Sequence, residues 1–175
     1  MRQDAKDNYH KIKQHALSLF NQYGVENVSM HQIAKSLNIG SGTLYRHFKD
    51  KGVLCFDLLE DDFNSLFEHF NDVLSTEDDD YNKLDAMLLA ILLFKHRNED
   101  LLLCIEQHEM KYLFKETPHY KQLFTAFETI FKDQFKTDML LNALTTRSFQ
   151  HQVHYRELSL EDFKQQLLKL FATQL

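Results

Sequence analysis

All four glycines of this 175-residue chain (Gly24, Gly40, Gly42 and Gly52) fall within its first 52 residues, and its one proline is Pro118. Glycine and proline are the strongest local punctuation a chain has. From residue 53 onward there is almost none, and apolar residues recur there at spacings of three and four, the period of an amphipathic helix. That combination predicts an all-α protein in two parts. Residues 1–52 read as short helices with glycine at their ends and turns, and residues 53–175 as a larger helical domain. Helices are expected over 7–23, 29–38, 41–48, a long rod over 50–74, then 81–96, 101–115, 118–136, a segment over 137–155, and 160–173. The first should bury a stripe of Ile12, Ala16, Leu19, Phe20 and Tyr23. The run STEDDD at 75–80 reads as a solvated break between helices rather than a metal site.

Charge divides at the same place. Residues 1–52 hold eight Lys and Arg against four Asp and Glu, and the remainder twelve against twenty-two. The net charge of −6 therefore hides a basic end suited to a polyanion and an acidic remainder that a polyanion repels. No run approaches 18 apolar residues, and the first thirteen residues have no apolar stretch, so neither a membrane span nor a signal peptide is expected. The chain reads as cytoplasmic. Cys55 and Cys104 lack metal spacing and read as small buried residues rather than a disulfide. His151 and His154, three apart, could share an ion on one helix face, but no Cys or carboxylate set accompanies them, and no metal is expected. No nucleophile–base pairing or phosphate-cradling loop stands out. Neither an enzyme nor a cofactor is expected.

The stretch 29–48, SMHQIAKSLNIGSGTLYRHF, carries the chemistry. Ser29 is a good N-cap and Gln32 completes a capping box, with Val28 and Ile33 spaced for a hydrophobic staple. Ile33, Ala34 and Leu37 line one face, Asn38 can take the left-handed conformation that ends a helix, and Ile39 is expected as a buried plug in the turn. Leu44 and Phe48 form the inward face of the next helix. What points out is a crowd of hydrogen-bonding groups: Ser41, Thr43, Tyr45, Arg46 and His47. Such a surface suits the floor of a DNA groove, and the pair reads as a helix-turn-helix whose second helix is the reader. Phosphate contacts are expected from Ser29, Tyr45, His47 and Lys51, and base contacts from Ser41, Thr43 and Arg46, with His31 and Gln32 at the margin. Lys6, Lys11, Lys13 and Arg2 are further phosphate candidates, or simply a solvated face. Tyr45 could instead be a half-buried packing residue, and an exposed Arg46 needs no function to explain it. Lys51 follows the N-cap Asp50, where the helix dipole disfavours a cation, a mismatch expected if ammonium and helix terminus share a DNA phosphate. One short recognition helix reads few base pairs, so a homodimer on a palindromic operator in double-stranded DNA is expected.

At these residues the chain resembles the tetracycline-repressor (TetR) family of bacterial transcription regulators. The resemblance runs over 12–59 and is carried by Gly42-Thr43-Leu44-Tyr45, then His47-Phe48, Lys51 and Leu54. Asn38 stands where the family usually has glycine, and Gly40 where it usually has a capping Ser or Thr; both are conformationally acceptable. The resemblance implies an N-terminal three-helix DNA-binding domain and a C-terminal helical ligand-binding and dimerisation domain, paired through the last two helices. It also implies an inducer pocket, lined here by Phe63, Phe67, Met87, Ile91, Phe94, His108, Tyr112, Phe127 and Phe131. An aromatic lining suits a lipophilic or planar compound. An aromatic stripe at helical spacing is more often closed core, and the stripes of the last two helices could equally pack within one chain. The function expected is a homodimeric repressor released from its operator by a small lipophilic or aromatic ligand. The alternative is a regulator or activator controlled by a partner protein, with no small-molecule pocket.

Overall fold

The computed structural model describes residues 3–108 and 114–173, and among these every regular element is helical. In order they are α1 (Gln3–Tyr23), α2 (Met30–Ser36), α3 (Ser41–His47), α4 (Lys51–Leu58), α5 (Glu60–Ser75), α6 (Asp80–Arg97) and α7 (Glu99–Gln107). A 3₁₀ turn (Phe114–Glu116) precedes α8 (Pro118–Phe131), followed by α9 (Gln134–Ala143), α10 (Thr146–Gln150), a π-helical turn (His151–Tyr155) and α11 (Leu160–Phe171). The chain forms two compact units: Met1–Glu60 with Asp100–Tyr112, and Asp61–Glu99 with Leu113–Leu175. The smaller unit thus reaches past residue 52 to take in α4 and most of α7.

In the first unit, α1 contributes Ile12, Ala16 and Phe20 to a core completed by Val28, Ile33, Ala34, Leu44, Phe48, Leu54 and Leu59. Four expected core positions differ. Tyr23 is 55% exposed at the last residue of α1, and Leu19, Leu37 and Ile39 are half-buried. Tyr9, one turn before Ile12 and itself half-buried, packs against this core. Its ring stacks on Phe48 at 5.4 Å, and its hydroxyl donates to both carboxylate oxygens of Asp57 at 2.5 and 2.6 Å.

The expected rod over 50–74 is broken at Leu59. No glycine or proline causes this. The Lys13 ammonium donates to the Asp57 carbonyl at 2.8 Å, competing for the acceptor that an unbroken helix offers to the amide four residues on. Leu59 N–H turns back to the Phe56 carbonyl at 3.1 Å, tightening the last turn to a 3₁₀ pitch.

The second unit is built on an aromatic core. Phe63 lies 5.0 Å from Phe94 and 4.8 Å from His119, and Phe70 meets Phe127 edge-on at 5.7 Å (ring centroids). Polar caps set its helix ends: Asp79 accepts from Asn82 N–H at 2.8 Å, and Thr117 accepts from Tyr120 N–H at 3.2 Å with Pro118 opening α8. The helix expected over 118–136 stops at Phe131, because Lys132 adopts a left-handed φ of 54° and Asp133 caps a fresh helix by accepting from Lys136 N–H at 3.0 Å. The segment 137–155 is likewise divided, with Thr145 accepting from Ser148 N–H at 3.3 Å to open α10. The helix expected over 101–115 begins at Glu99 and closes at Gln107; its remainder through 113 lies outside the described residues. Lys164, although charged, is buried on α11, where its ammonium meets Asp85 at 2.9 Å and Glu161 at 3.1 Å.

Candidate nucleic-acid interface

The capping box that opens α2 is formed in full. Ser29 N–H donates to the Gln32 side-chain oxygen at 2.7 Å, and Gln32 N–H donates to Ser29 Oγ at 3.2 Å. Val28 and Ile33 are both buried beside it. At the other end Asn38 takes φ 53°, with Asn38 N–H bonded to the Lys35 carbonyl at 3.1 Å and Ile39 N–H to the Ala34 carbonyl at 3.0 Å. These two bonds make a Schellman closure, with asparagine in the place glycine usually fills. The chain is thereby turned directly into α3, which Gly40 opens without a side-chain cap. Leu44 and Phe48, essentially fully buried, pin α3 to the core, and His15 on α1 is hydrogen-bonded to Ser36 on α2 at 2.7 Å.

With α3 held at Leu44 and Phe48, the residues between face outward. Tyr45 is 51% exposed and Arg46 is exposed, whereas Ser41, Thr43, His47 and Lys51 are half-buried. Arg46 is preorganised: its Nε donates to the Gly42 carbonyl at 3.2 Å and its Nη2 to Thr43 Oγ1 at 3.1 Å, so guanidinium and hydroxyl occupy one patch. Ser29, His31 and Gln32 are exposed, but Ser29 and Gln32 use polar atoms on each other. His47 packs beside the rings of Tyr9 and Phe48, at 6.3 and 6.4 Å. The Lys51 ammonium stands 5.8 Å from the centre of the Phe20 ring, while Asp50 caps α4 through Val53 N–H at 2.9 Å. Lys13 is neither a solvated cation nor a free phosphate ligand, since its ammonium pairs with the Asp57 carboxylate at 2.9 Å. Lys6 and Arg2 have no described side chain.

The tie from Tyr9 and Lys13 to Asp57 is a feature the sequence reading missed. A single acid among the apolar residues of 53–59 was its only trace. Burial, with the Asp57 hydrogen bond and charge, pushes the Tyr9 hydroxyl well above the ordinary tyrosine range.

The nine residues expected to line a ligand pocket fall in different places. Phe63, Phe67, Met87, Ile91, Phe94, Phe127 and Phe131 are all buried in the second unit. His108 belongs to the first unit, against Gly52 and Cys104, and Tyr112 lies outside the described residues. His151 and His154 do not converge on one point: the π-helical turn, marked by Arg156 N–H bonding to the His151 carbonyl at 3.0 Å, removes the ordinary three-residue register. His154 pairs with Glu99 at 2.7 Å, and His151 stacks on Tyr155 at 5.2 Å. Among the described residues no group of three or more His, Cys, Asp or Glu is placed to hold a metal ion, and no helix is long and apolar enough to cross a membrane.

Residues 12–58 match the model of the bacterial regulatory proteins of the tetR family. Across nearly its whole length the chain is 41% identical to an HTH-type transcriptional regulator of Staphylococcus aureus strain MRSA252 (98% of this chain, 96% of the relative), and 40% identical to a counterpart in strain USA300 with the same coverage. Among solved structures it is similar to Thermus thermophilus FadR, a TetR-family transcriptional repressor in complex with lauroyl-CoA (TM-score 0.71, 18% identity, 94% of this chain and 93% of that one). It is also similar to the fatty acid degradation regulator FadR of Bacillus halodurans (TM-score 0.65, 14% identity, 95% and 99%). A capped α2, a Schellman turn and an α3 that points tyrosine and arginine outward, carried on a chain with these relatives, make it a member of the TetR family of DNA-binding transcriptional regulators.

Proposed function

We propose that the protein is a homodimeric, cytoplasmic repressor that reads a palindromic operator through α3 and leaves it when a small lipophilic or aromatic ligand binds the second unit. The observation that carries the DNA half is the patch of Arg46 and Thr43, joined by a 3.1 Å hydrogen bond beside the exposed Tyr45. A guanidinium there suits a guanine edge, the threonine methyl suits thymine, and Tyr45, His47 and Lys51 suit flanking phosphates. Dimerisation is supported by Met139, Tyr155 and Leu170, which stay exposed on the closing segments while Phe163, Leu167 and Leu168 fill the core. The ligand class is supported by the apolar character of Phe63, Phe67, Met87, Ile91, Phe94, Phe127 and Phe131, with His108 and Tyr112 as further candidates, and by the lauroyl-CoA held by the Thermus structural neighbour.

The test is selection of bound fragments from the source genome, followed by titration at several salt concentrations. A palindromic site bound at nanomolar strength with a steep salt slope is the expected result. Weak, sequence-independent binding unchanged in Tyr45→Ala and Lys51→Ala would sink the reading and turn attention to regulation by a partner protein. An operator bound, but never released by apolar ligands, would keep the DNA half and remove the inducer.

A further inference from the structure

Three of the four glycines have a reason within the chain. Gly24 takes a left-handed φ of 83°, Gly40 is the extended N-cap of α3, and Gly52 leaves room for His108. Gly42 has no such reason. It lies inside α3 without a left-handed φ, where alanine would be the better helix former. A β-carbon built on it would meet nothing within 4 Å beyond its own turn of helix. The fold thus has space for a side chain that the sequence withholds, on the exposed face of the helix that carries Tyr45 and Arg46. Glycine in such a place lets something outside the chain approach the backbone closely.

We infer that Gly42, Thr43 and Arg46 form one guanine-reading subsite, in which Gly42 gives the base edge room and Thr43 holds Arg46 in its reading pose. Thr43 is then a positioning residue as far as its hydroxyl is concerned. The inference rests on the reading of α3 as the operator-binding helix.

The pose of the guanidinium selects the base. Gly42 and Thr43 lie four and three residues before Arg46, so all three share one side of α3. Arg46 Nε donates to the Gly42 carbonyl at 3.2 Å, and Nη2 donates to Thr43 Oγ1 at 3.1 Å. Both bonds use the edge of the guanidinium that Nε and Nη2 share. That edge is spent within the helix, and the end-on fork of Nη1 and Nη2 keeps two parallel N–H donors. In the major groove guanine offers such a fork two adjacent acceptors, O6 and N7. Adenine sets an N6 donor beside its N7 and opposes one arm of the fork. With the Thr43 hydroxyl engaged by Arg46, the methyl is what that side chain has left to offer a base. A β-carbon on Gly42 would not reach the Arg46 side chain, so adding one leaves the fork in place and obstructs only what docks beside it.

The experiment uses the full-length protein and an operator recovered from bound genomic fragments. Each half-site position is replaced in turn, and binding is read by fluorescence anisotropy at several salt concentrations. The parent should prefer guanine to adenine at one position by roughly tenfold, and a guanine analogue with carbon in place of N7 should lose much of that preference. Thr43→Val keeps the shape without the hydroxyl and should lose most of the preference at an unchanged salt slope; Thr43→Ser should restore it. Gly42→Ala should melt no lower than the parent yet bind the operator roughly tenfold more weakly. A guanine preference that survives in Thr43→Val overturns the positioning role. If Arg46→Ala weakens all sequences alike and lowers the salt slope, the fork holds a phosphate and the subsite is overturned. Parental affinity in Gly42→Ala, or a lower melting temperature, overturns the need for room. A parent that prefers no sequence overturns the DNA reading itself, whereas a firm operator with no guanine dependence overturns the subsite alone.

Discussion

A β-carbon built on Gly52 stands 2.5 Å from the β-carbon of His108, so the contact between α4 and α7 depends on the absence of a side chain. The obstacle is the first atom of the histidine side chain, which cannot swing aside. Gly52→Ala should therefore force the two helices apart. Overpacking of this kind costs about 1–3 kcal/mol, and the better helix propensity of alanine offsets about 0.8–1 of it. The expected net is a melting temperature lower by about 2–4 °C, checked by calorimetry.

Tyr9 and Asp57 supply a second tie, between α1 and α4. Tyr9→Phe should cost about 1 kcal/mol, the ordinary worth of a hydrogen bond. Asp57→Asn should cost somewhat more, because it also unpairs the partly buried Lys13 ammonium. The two losses should not add in a double-mutant cycle. The Tyr9 hydroxyl titrates higher in the folded protein than in the unfolded chain, so its contribution is fully present below about pH 10 and is lost as pH rises beyond that. Urea unfolding across the alkaline range should show this loss in the parent and a flatter profile in Tyr9→Phe.

Lys164 holds α11 to α6 through Asp85. Burial pulls its ammonium down, but the hydrogen bonds to Asp85 and Glu161 outweigh that and leave it raised. Truncation to alanine removes the packed stem and leaves Asp85 unpaired. With Asp85 only a third exposed, a loss of about 1–3 kcal/mol is expected by denaturant titration. Lys164→Met keeps the stem and should recover much of it.

For operator binding, three substitutions should behave differently. Arg46→Ala should cost about 1–3 kcal/mol and relax preference at one base position. Lys51→Ala should weaken all sequences alike and lower the salt slope by about 1. Tyr45→Phe should weaken binding with little change in sequence preference. Fluorescence anisotropy on wild-type and single-substituted operators separates these outcomes.

Most of the DNA-reading element was legible in the sequence because it is built from local signals. The Ser29–Gln32 capping box, the left-handed Asn38 and the inward pair Leu44 and Phe48 each involve residues within a few positions of one another, and each is present. The helix ends around Lys132 and Thr145 were less legible, because Asp133 and Thr145 are ordinary polar residues until their side chains accept from a backbone amide. The stripe expected for α1 leaves out Tyr9 and includes Tyr23; periodicity alone does not say where along a helix the neighbouring element stops covering it.

By itself the sequence determined the helical class, the helix-turn-helix and the set of outward polar groups on α3, since period, caps and glycine placement act over one or two turns. Only the tertiary structure decided that α4 stops at Leu59, that Lys13 pairs with Asp57 instead of facing solvent, and that His108 packs against Gly52 with its ring bonded to the Cys104 carbonyl. These depend on partners 44 to 56 positions apart. At that separation no local rule couples one residue to another; the packing of α1 and α7 against α4 makes them neighbours.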